Sequence, residues 1–419
     1  MRHILIIFLL FISLAICLII DGCGGKQQDV SPACIPEESI KKSDRGNDND
    51  LYIAGELSDM TAELSAMVDS VMSGMSLEDK VGQCFMPAIY AVSDEYTLRR
   101  LREYIHDMRV GGIVLLKGDL KSAAMLAGLC RRARVPLFVA IDAEWGLGMR
   151  LEDAPDFPKN GKLSPKADEL ILYDYGREVA RECRRVGISM ILGPVVDVTE
   201  NPRGVIGARS FGSDPVRVAD LGVAYAKGVE SGGVISVAKH FPGHGSPSVD
   251  SHKGLPVVNR SLRQLDSIDI YPFKSYIDTG LSGVMVGHIA VPAIDPDALP
   301  AAVSKVVIND LLRADLGFKG LVLTDALNMK GASGHGASAA LSAGADILVG
   351  PVETRREIKD VIRKIKKGDI GVEEIDERCR RILFYKFLTG IDKKSPVALQ
   401  GIREDVSDGY DSLYERLTR

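Results

Sequence analysis

Short apolar runs and amphipathic stretches alternate along most of this chain. The apolar runs begin with "VGQCFMPAI" at Val81, "GGIVLL" at Gly111, "PLFVAID" at Pro136 and "ISMILGPVVDV" at Ile188. They continue with "ISVAKHF" at Ile235, "GVMVGHI" at Gly283, "GLVLTDAL" at Gly320 and "ADILVGP" at Ala345. Most are short, β-branched and apolar on both faces, as buried parallel strands are. Helical patterns such as "DELILYDYGREVARECRRVG", "PVRVADLGVAYAKGVESG" and "SKVVINDLLRADLG" fall between many of them. Repeated strand–helix alternation predicts an α/β fold with a parallel sheet. Eight candidate strands over about 300 residues fit a (β/α)8 TIM-type barrel forming a single domain, with a doubly wound open sheet as the alternative.

Outside these runs the pattern changes. Arg2 precedes an apolar run from Ile4 to Ile20, and "DGCGGKQQDVSPAC" follows. A short positive region, an apolar core and small residues describe an export signal over residues 1–22. The run of about 17 residues is at the lower limit for a membrane span, so a retained anchor is an alternative, as is simple secretion. Residues 23–58 are polar and charged without an apolar period and read as a flexible linker. The barrel is expected over 59–390, with basic amphipathic helices near its end, and 391–419 reads as a charged tail too short for a core of its own.

Composition narrows the function. The chain of 419 residues is 46% hydrophobic and carries a net charge of -5, so a nucleic-acid partner is not expected. One tryptophan gives no broad aromatic platform for polysaccharide. Of the seven cysteines, Cys84, Cys130, Cys183 and Cys379 fall singly inside apolar segments and read as buried free thiols.

Polar residues sit at the C-terminal ends of the apolar runs: Asp142, Asp197, Lys239 with His240, His288 and Asp325. In barrel enzymes the loops after the strands build the active site, and an unpaired charge buried there costs several kcal/mol. Five strand ends converging on one rim therefore predict a shared pocket, with His288 as either a substrate contact or a satisfied strand-end histidine. The segment "KHFPGHGSPSVDSHKGLP" concentrates His240, His244 and His252 with Asp250. His244 lies four positions after His240, but "HFPGHG" holds a proline and two glycines and is not helical, so no metal site is expected. His244 reads as a loop-shaping hydrogen-bonder. Asp325 precedes "ALNMKG", where it could also cap a helix. Trp145 either stacks on a ligand or flanks its loop, and Met86 and Met329 either line a recess or pack in the core.

Three motifs together, "KHFPGHG…DSH…LP", "NPRGVIGARSFGSDP" and "LVLTDALNMKG", resemble glycoside hydrolase family three, and within it the single-domain bacterial β-N-acetylglucosaminidases. The resemblance runs from roughly Met75 to Gly390 and implies a single catalytic barrel. It implies Asp325 as nucleophile, Asp250 and His252 as an acid/base dyad, and Asp142, Arg209, Lys239 and His240 as sugar contacts. It also implies a retaining, exo-acting hydrolase that releases terminal N-acetylglucosamine from peptidoglycan-derived glycans, working as a monomer without cofactor or metal. "GHGSP" and "DAEWGLGMRL" depart from the family's usual "GHGDT" and "DQEGGRV", which bears on sugar preference. A β-glycosidase or phosphorylase of other sugar preference and an inactive glycan-binding surface lipoprotein are the alternatives. Gly22-Cys23 resembles a lipobox, which makes Cys23 the lipidation site and places the body in the cell envelope, although Asp21 departs from that pattern. A histidine titrates near neutral pH, so His252 could donate a proton in one step and accept one in the next, with Asp250 fixing its tautomer.

Overall fold

The computed structural model describes residues 62–163, 165–199, 201, 203–245, 254–332, 334–391 and 397–419. The export signal, Cys23 and the linker lie outside the described residues, as do Asp250 and His252. Among the described residues no helix is long and apolar enough to cross a membrane.

Among the described residues, nine short strands form a curled seven-stranded parallel sheet in chain order and a two-stranded parallel pair. They are β1 (Phe85–Met86), β2 (Ala88–Ala91), β3 (Gly112–Gly118), β4 (Phe138–Ile141) and β5 (Met190–Ile191), followed by β6 (Ile235–Phe241), β7 (Gly283–Val286), β8 (Leu321–Thr324) and β9 (Leu348–Val349). Strands β2 to β8 pair each with the next, all parallel. β1 continues into β2 across Pro87 and pairs on its other side with β9, while a bridge joins Leu323 of β8 to Ile347. The apolar runs become strands because both of their faces are covered: every residue of β4, β6, β7 and β8 is buried.

Helices return the chain between strands, and their starts are written in the sequence. α1 (Leu77–Gln83) opens with a Ser76–Asp79 capping box, and Asp94, Asp119, Asp168 and Asp214 cap α2 (Glu95–Arg102), α3 (Leu120–Arg131), α4 (Glu169–Val186) and α5 (Pro215–Ser231). Where α4 crosses α5 the backbones touch. A Cβ on Gly176 would lie 2.1 Å from the Tyr225 carbonyl oxygen, and one on Gly228 would lie 2.1 Å from that of Tyr173.

The N-terminal ends of the strands are closed by buried titratable groups. Asp346 accepts from the Val322 amide at 2.8 Å and from Arg313 at 2.6 Å, and Arg381 completes the cluster. Glu230 accepts from Ser236 Oγ at 2.6 Å and the Ser282 amide at 2.8 Å, and burial pushes its carboxyl up to about 7. Lys386 donates to Gln83 at 2.7 Å and lies 5.3 Å from the Phe138 ring centroid, and burial lowers its ammonium to about 7. The four cysteines expected to be free thiols are free and buried.

The segment expected as a charged tail is built into the body. Residues 402–407 and 410–418 form α6 (Ile402–Ser407) and α7 (Tyr410–Thr418), which bury Ile402, Val406, Leu413 and Leu417. Arg181 of α4 donates to the carbonyls of Asp405, Val406 and Asp408, and Arg185 donates to those of Ala398 and Gln400. The Arg181 guanidinium satisfies carbonyls at the end of α6 that so short a helix leaves unpaired, and Arg185 holds the chain that leads into it.

Candidate active site

A cavity of about 680 Å³ opens at the C-terminal ends of the strands. Its size and position suit a small polar ligand. Lys239, at the end of β6, is its centre of charge. The ammonium, 3% exposed, lies 2.8 Å from Asp142 Oδ1 and 2.8 Å from Glu144 Oε1. Arg150 reaches Asp142 Oδ2 at 2.5 Å, and Arg209 takes Glu144 as a fork, with Nε–Oε2 at 2.8 Å and Nη2–Oε1 at 2.7 Å. Burial works against both carboxylates, but Lys239 with Arg150 or Arg209 outweighs it, and both carboxyls are held below their usual range. Burial likewise opposes the charge on Lys239, and the two carboxylates raise it above the ordinary lysine value. Two acceptors and three cations are thus fixed in their ionised forms around one wall.

Glu144 was not singled out in the sequence, although it is the most buried carboxylate of this wall. Its signal is the spacing Asp142-x-Glu144, which in extended chain puts both side chains on one face. The loop carrying it also brings Trp145, Met149 and Arg150 to the cavity. Trp145 lines the cavity with Lys159 Nζ 4.7 Å from its ring centroid.

Asp197 is fully buried behind the wall and acts on the backbone. It accepts from the amide of His240 at 3.2 Å, from His240 Nδ1 at 2.8 Å and from the amide of His244 at 2.6 Å. It therefore fixes the turn after β6 and leaves the other ring nitrogen of His240 for the cavity. Gly245 completes the turn: a Cβ there would lie 1.7 Å from the Val198 carbonyl oxygen. His244 also lines the cavity, and both of its ring nitrogens are buried without a partner among the described residues.

Asp325 follows β8 and is half-buried on the cavity wall. Its Oδ1 accepts from the Ala326 amide at 2.7 Å, and no hydrogen bond to its other oxygen occurs among the described residues. Burial raises its carboxyl, but the potential of His240, His288 and Lys239 and the Ala326 amide outweigh burial and lower it overall. The sequence also allowed a helix cap at this position. The carboxylate does bond the next amide, yet it opens onto the cavity that holds Lys239.

The structure thus brings together Asp142, Arg209, Lys239, His240 and Asp325 of the residues picked from sequence. It places His288 elsewhere. That ring is 1% exposed, does not line the cavity, and points Nε2 at the carbonyl oxygens of Asp325 (3.2 Å) and Ala326 (3.1 Å). Facing two carbonyls, Nε2 is the protonated nitrogen. Of the two methionines, Met329 lines the cavity and Met86 is wholly buried. Among the described residues no cluster of three or more His, Cys, Asp or Glu is placed to hold a metal ion.

This geometry has known counterparts. The chain matches the Glycosyl hydrolase family 3 N terminal domain over residues 76–384. It is 34% identical over 256 residues to a β-hexosaminidase of Nitrosomonas eutropha, covering 57% of this chain and 73% of that protein. Among solved structures it superimposes on a glycoside hydrolase family 3 β-N-acetylglucosaminidase from Paenibacillus sp. str. FPU-7, with a TM-score of 0.72 and 31% identity, over 82% of this chain and 69% of the other. A β-glucoside phosphorylase, BglX, bound to 2FGlc shares the fold at a TM-score of 0.78 and 24% identity, over 84% of this chain and 66% of the other. The chain belongs to glycosyl hydrolase family 3 and has β-hexosaminidases among its relatives.

Proposed function

From its membership of this family, we propose that the protein is a retaining, exo-acting β-N-acetylglucosaminidase that releases terminal N-acetylglucosamine from peptidoglycan-derived or related glycans. The observation that carries this reading is Asp325, with one carboxylate oxygen anchored by Ala326 and the carboxylate on the same cavity as the Lys239–Asp142–Glu144–Arg209 wall. Pyranose hydroxyls both donate and accept, and that wall offers fixed partners of both kinds.

In this mechanism an Asp325 oxygen bonds to the anomeric carbon as the bond to the leaving oxygen breaks. The leaving oxygen takes a proton from His252. Water then attacks the anomeric carbon of the glycosyl–Asp325 ester, giving its proton back to His252, and the carboxylate is released. Asp250 holds the imidazole tautomer throughout. His240, oriented by Asp197, and Arg209 contact the sugar with the other wall residues. His288 acts one step back, by fixing the carbonyls of Asp325 and Ala326.

The same reading closes the curled sheet into a (β/α)8 barrel through the β1–β9 pair and the Leu323–Ile347 bridge, and takes that barrel as the single catalytic domain. It places a monomer in the cell envelope, anchored by a lipid on Cys23.

Hydrolysis of an aryl N-acetyl-β-glucosaminide, compared with the aryl β-glucoside and measured with and without phosphate, tests the proposal. Preference for the N-acetylated sugar and a rate independent of phosphate are expected. A phosphate-dependent rate yielding a sugar phosphate would make the protein a phosphorylase instead. Full turnover of natural fragments by His252→Ala would remove His252 from the acid/base role.

A further inference from the structure

The C-terminal helices reach the active site through one short segment. Residues 155–162 run behind the cavity wall and are tied to it twice. The Phe157 amide donates to the Trp145 carbonyl at 3.0 Å, and the Gly148 amide donates to the Pro155 carbonyl at 2.9 Å, so this segment holds the loop that carries Glu144, Trp145 and Arg150. Asn160, 6% exposed, donates to the Arg209 carbonyl at 2.8 Å, so it also holds the far partner of Glu144. Both halves of the Glu144–Arg209 fork are therefore tied to residues 155–162.

That segment is short of regular structure: only residues 160–162 form a helical turn. What packs on its outer side is Tyr410 at the start of α7. Its hydroxyl donates to the Asp156 carbonyl at 2.8 Å, and its ring lies 4.9 Å from that of Phe157, which in turn lies 4.9 Å from Tyr175 of α4. α7 is itself fixed to α4 by Arg416, 2.8 Å from Asp174, and α6 by the Arg181 bonds to the Asp405 and Val406 carbonyls and by Arg185, 2.6 Å from Asp405 Oδ2. The matched family domain ends at residue 384, so this prop is supplied by chain beyond it.

We propose that Tyr410 is a positioning residue: through residues 155–162 it sets the Trp145 loop and the Glu144–Arg209 fork, and so the grip on substrate. This deepens the reading of the cavity as a sugar site. A displaced fork weakens binding more than it slows bond breaking, because Asp325 hangs from a different strand.

The test compares full-length Tyr410→Ala with full-length Asp346→Ala, which removes a buried charge cluster at the opposite ends of the strands and leaves α7 and residues 155–162 in place. Because Trp145 is the chain's one tryptophan, its fluorescence reports on this loop without any substrate. Tyr410→Ala is expected to raise KM for the aryl glycoside about tenfold, with kcat changed less than threefold, and to make Trp145 about twice as quenchable by acrylamide. Asp346→Ala is expected to lower Tm while leaving KM and quenching at wild-type values. If Tyr410→Ala lowers Tm but leaves KM and quenching unchanged, Tyr410 is only structural and the proposal falls. Should Tyr410→Ala not fold, Tyr410→Phe is read by the same measures, and wild-type KM and quenching there overturn it. Lack of activity in the wild type, with the quenching difference intact, would refute the sugar-site reading and not the prop.

Discussion

At the N-terminal ends of the strands, Asp346 has both carboxylate oxygens engaged, by the Val322 amide, Arg313 and Arg381. At the C-terminal ends, Asp325 has one oxygen held by Ala326 and lies on a cavity wall. The same contrast holds for the cations. Arg313 also donates to the Phe318 and Gly320 carbonyls and is fully committed, whereas Lys239, Arg150 and Arg209 hold their carboxylates at the edge of open space. Even the smaller cavity at the N-terminal end, about 360 Å³, has its Asp79 taken up by Arg109, Arg134 and the Ser76 amide. The charges of Asp346 and Asp79 are saturated by protein, whereas that of Asp325 is fixed on one side and open on the other.

Substitutions at the two ends should separate along that line. Asp346→Ala leaves two guanidiniums without their carboxylate in a dry site, and is expected to cost about 3–5 kcal/mol in urea unfolding while KM of the folded enzyme stays unchanged. A changed KM with normal stability would show that the two ends are not distinct. Glu144→Gln keeps the side-chain shape but removes the charge shared by Arg209 and Lys239. A loss of about 1.5–3 kcal/mol in kcat/KM, roughly 10- to 100-fold, is expected, with Tm lowered less than by Asp346→Ala.

A third difference concerns pH. The Glu230 carboxyl is raised by burial from 4.5 to about 7, so the folded state keeps a proton that the unfolded chain releases. Its contribution to stability is complete below about 4.5 and is lost as pH rises to about 7. Glu230→Gln lacks this titration. Its Tm relative to wild type should rise between pH 4.5 and 8, and parallel profiles would contradict the assignment.

The strands were legible because burial on both faces writes continuous apolar runs, and the site was legible where a charge ended such a run, as at Asp142, Lys239 and Asp325. Glu144 and Arg150 were harder to see because they sit on loop beyond the strand, where no period marks the inward face. His288 shows the reverse case: it too ends an apolar run, but the sequence cannot say whether its ring faces the cavity or the neighbouring backbone. α6 and α7 were obscured by length. Ile402 with Val406 and Leu413 with Leu417 have helical spacing, but each pair spans one turn amid charged residues. Helices that short depend on packing, here on Arg181, Arg185 and Tyr410, and not on their own propensity.

The central claim is that Asp325 bonds to the sugar. Treating the enzyme with a fluorinated N-acetylglucosaminyl fluoride, digesting it and mapping the adduct by mass spectrometry tests this directly. The account predicts one fluorosugar on the peptide containing Asp325 and none on the Asp325→Asn variant. An adduct on Asp142 or Glu144, or inactivation with no covalent label, would contradict it.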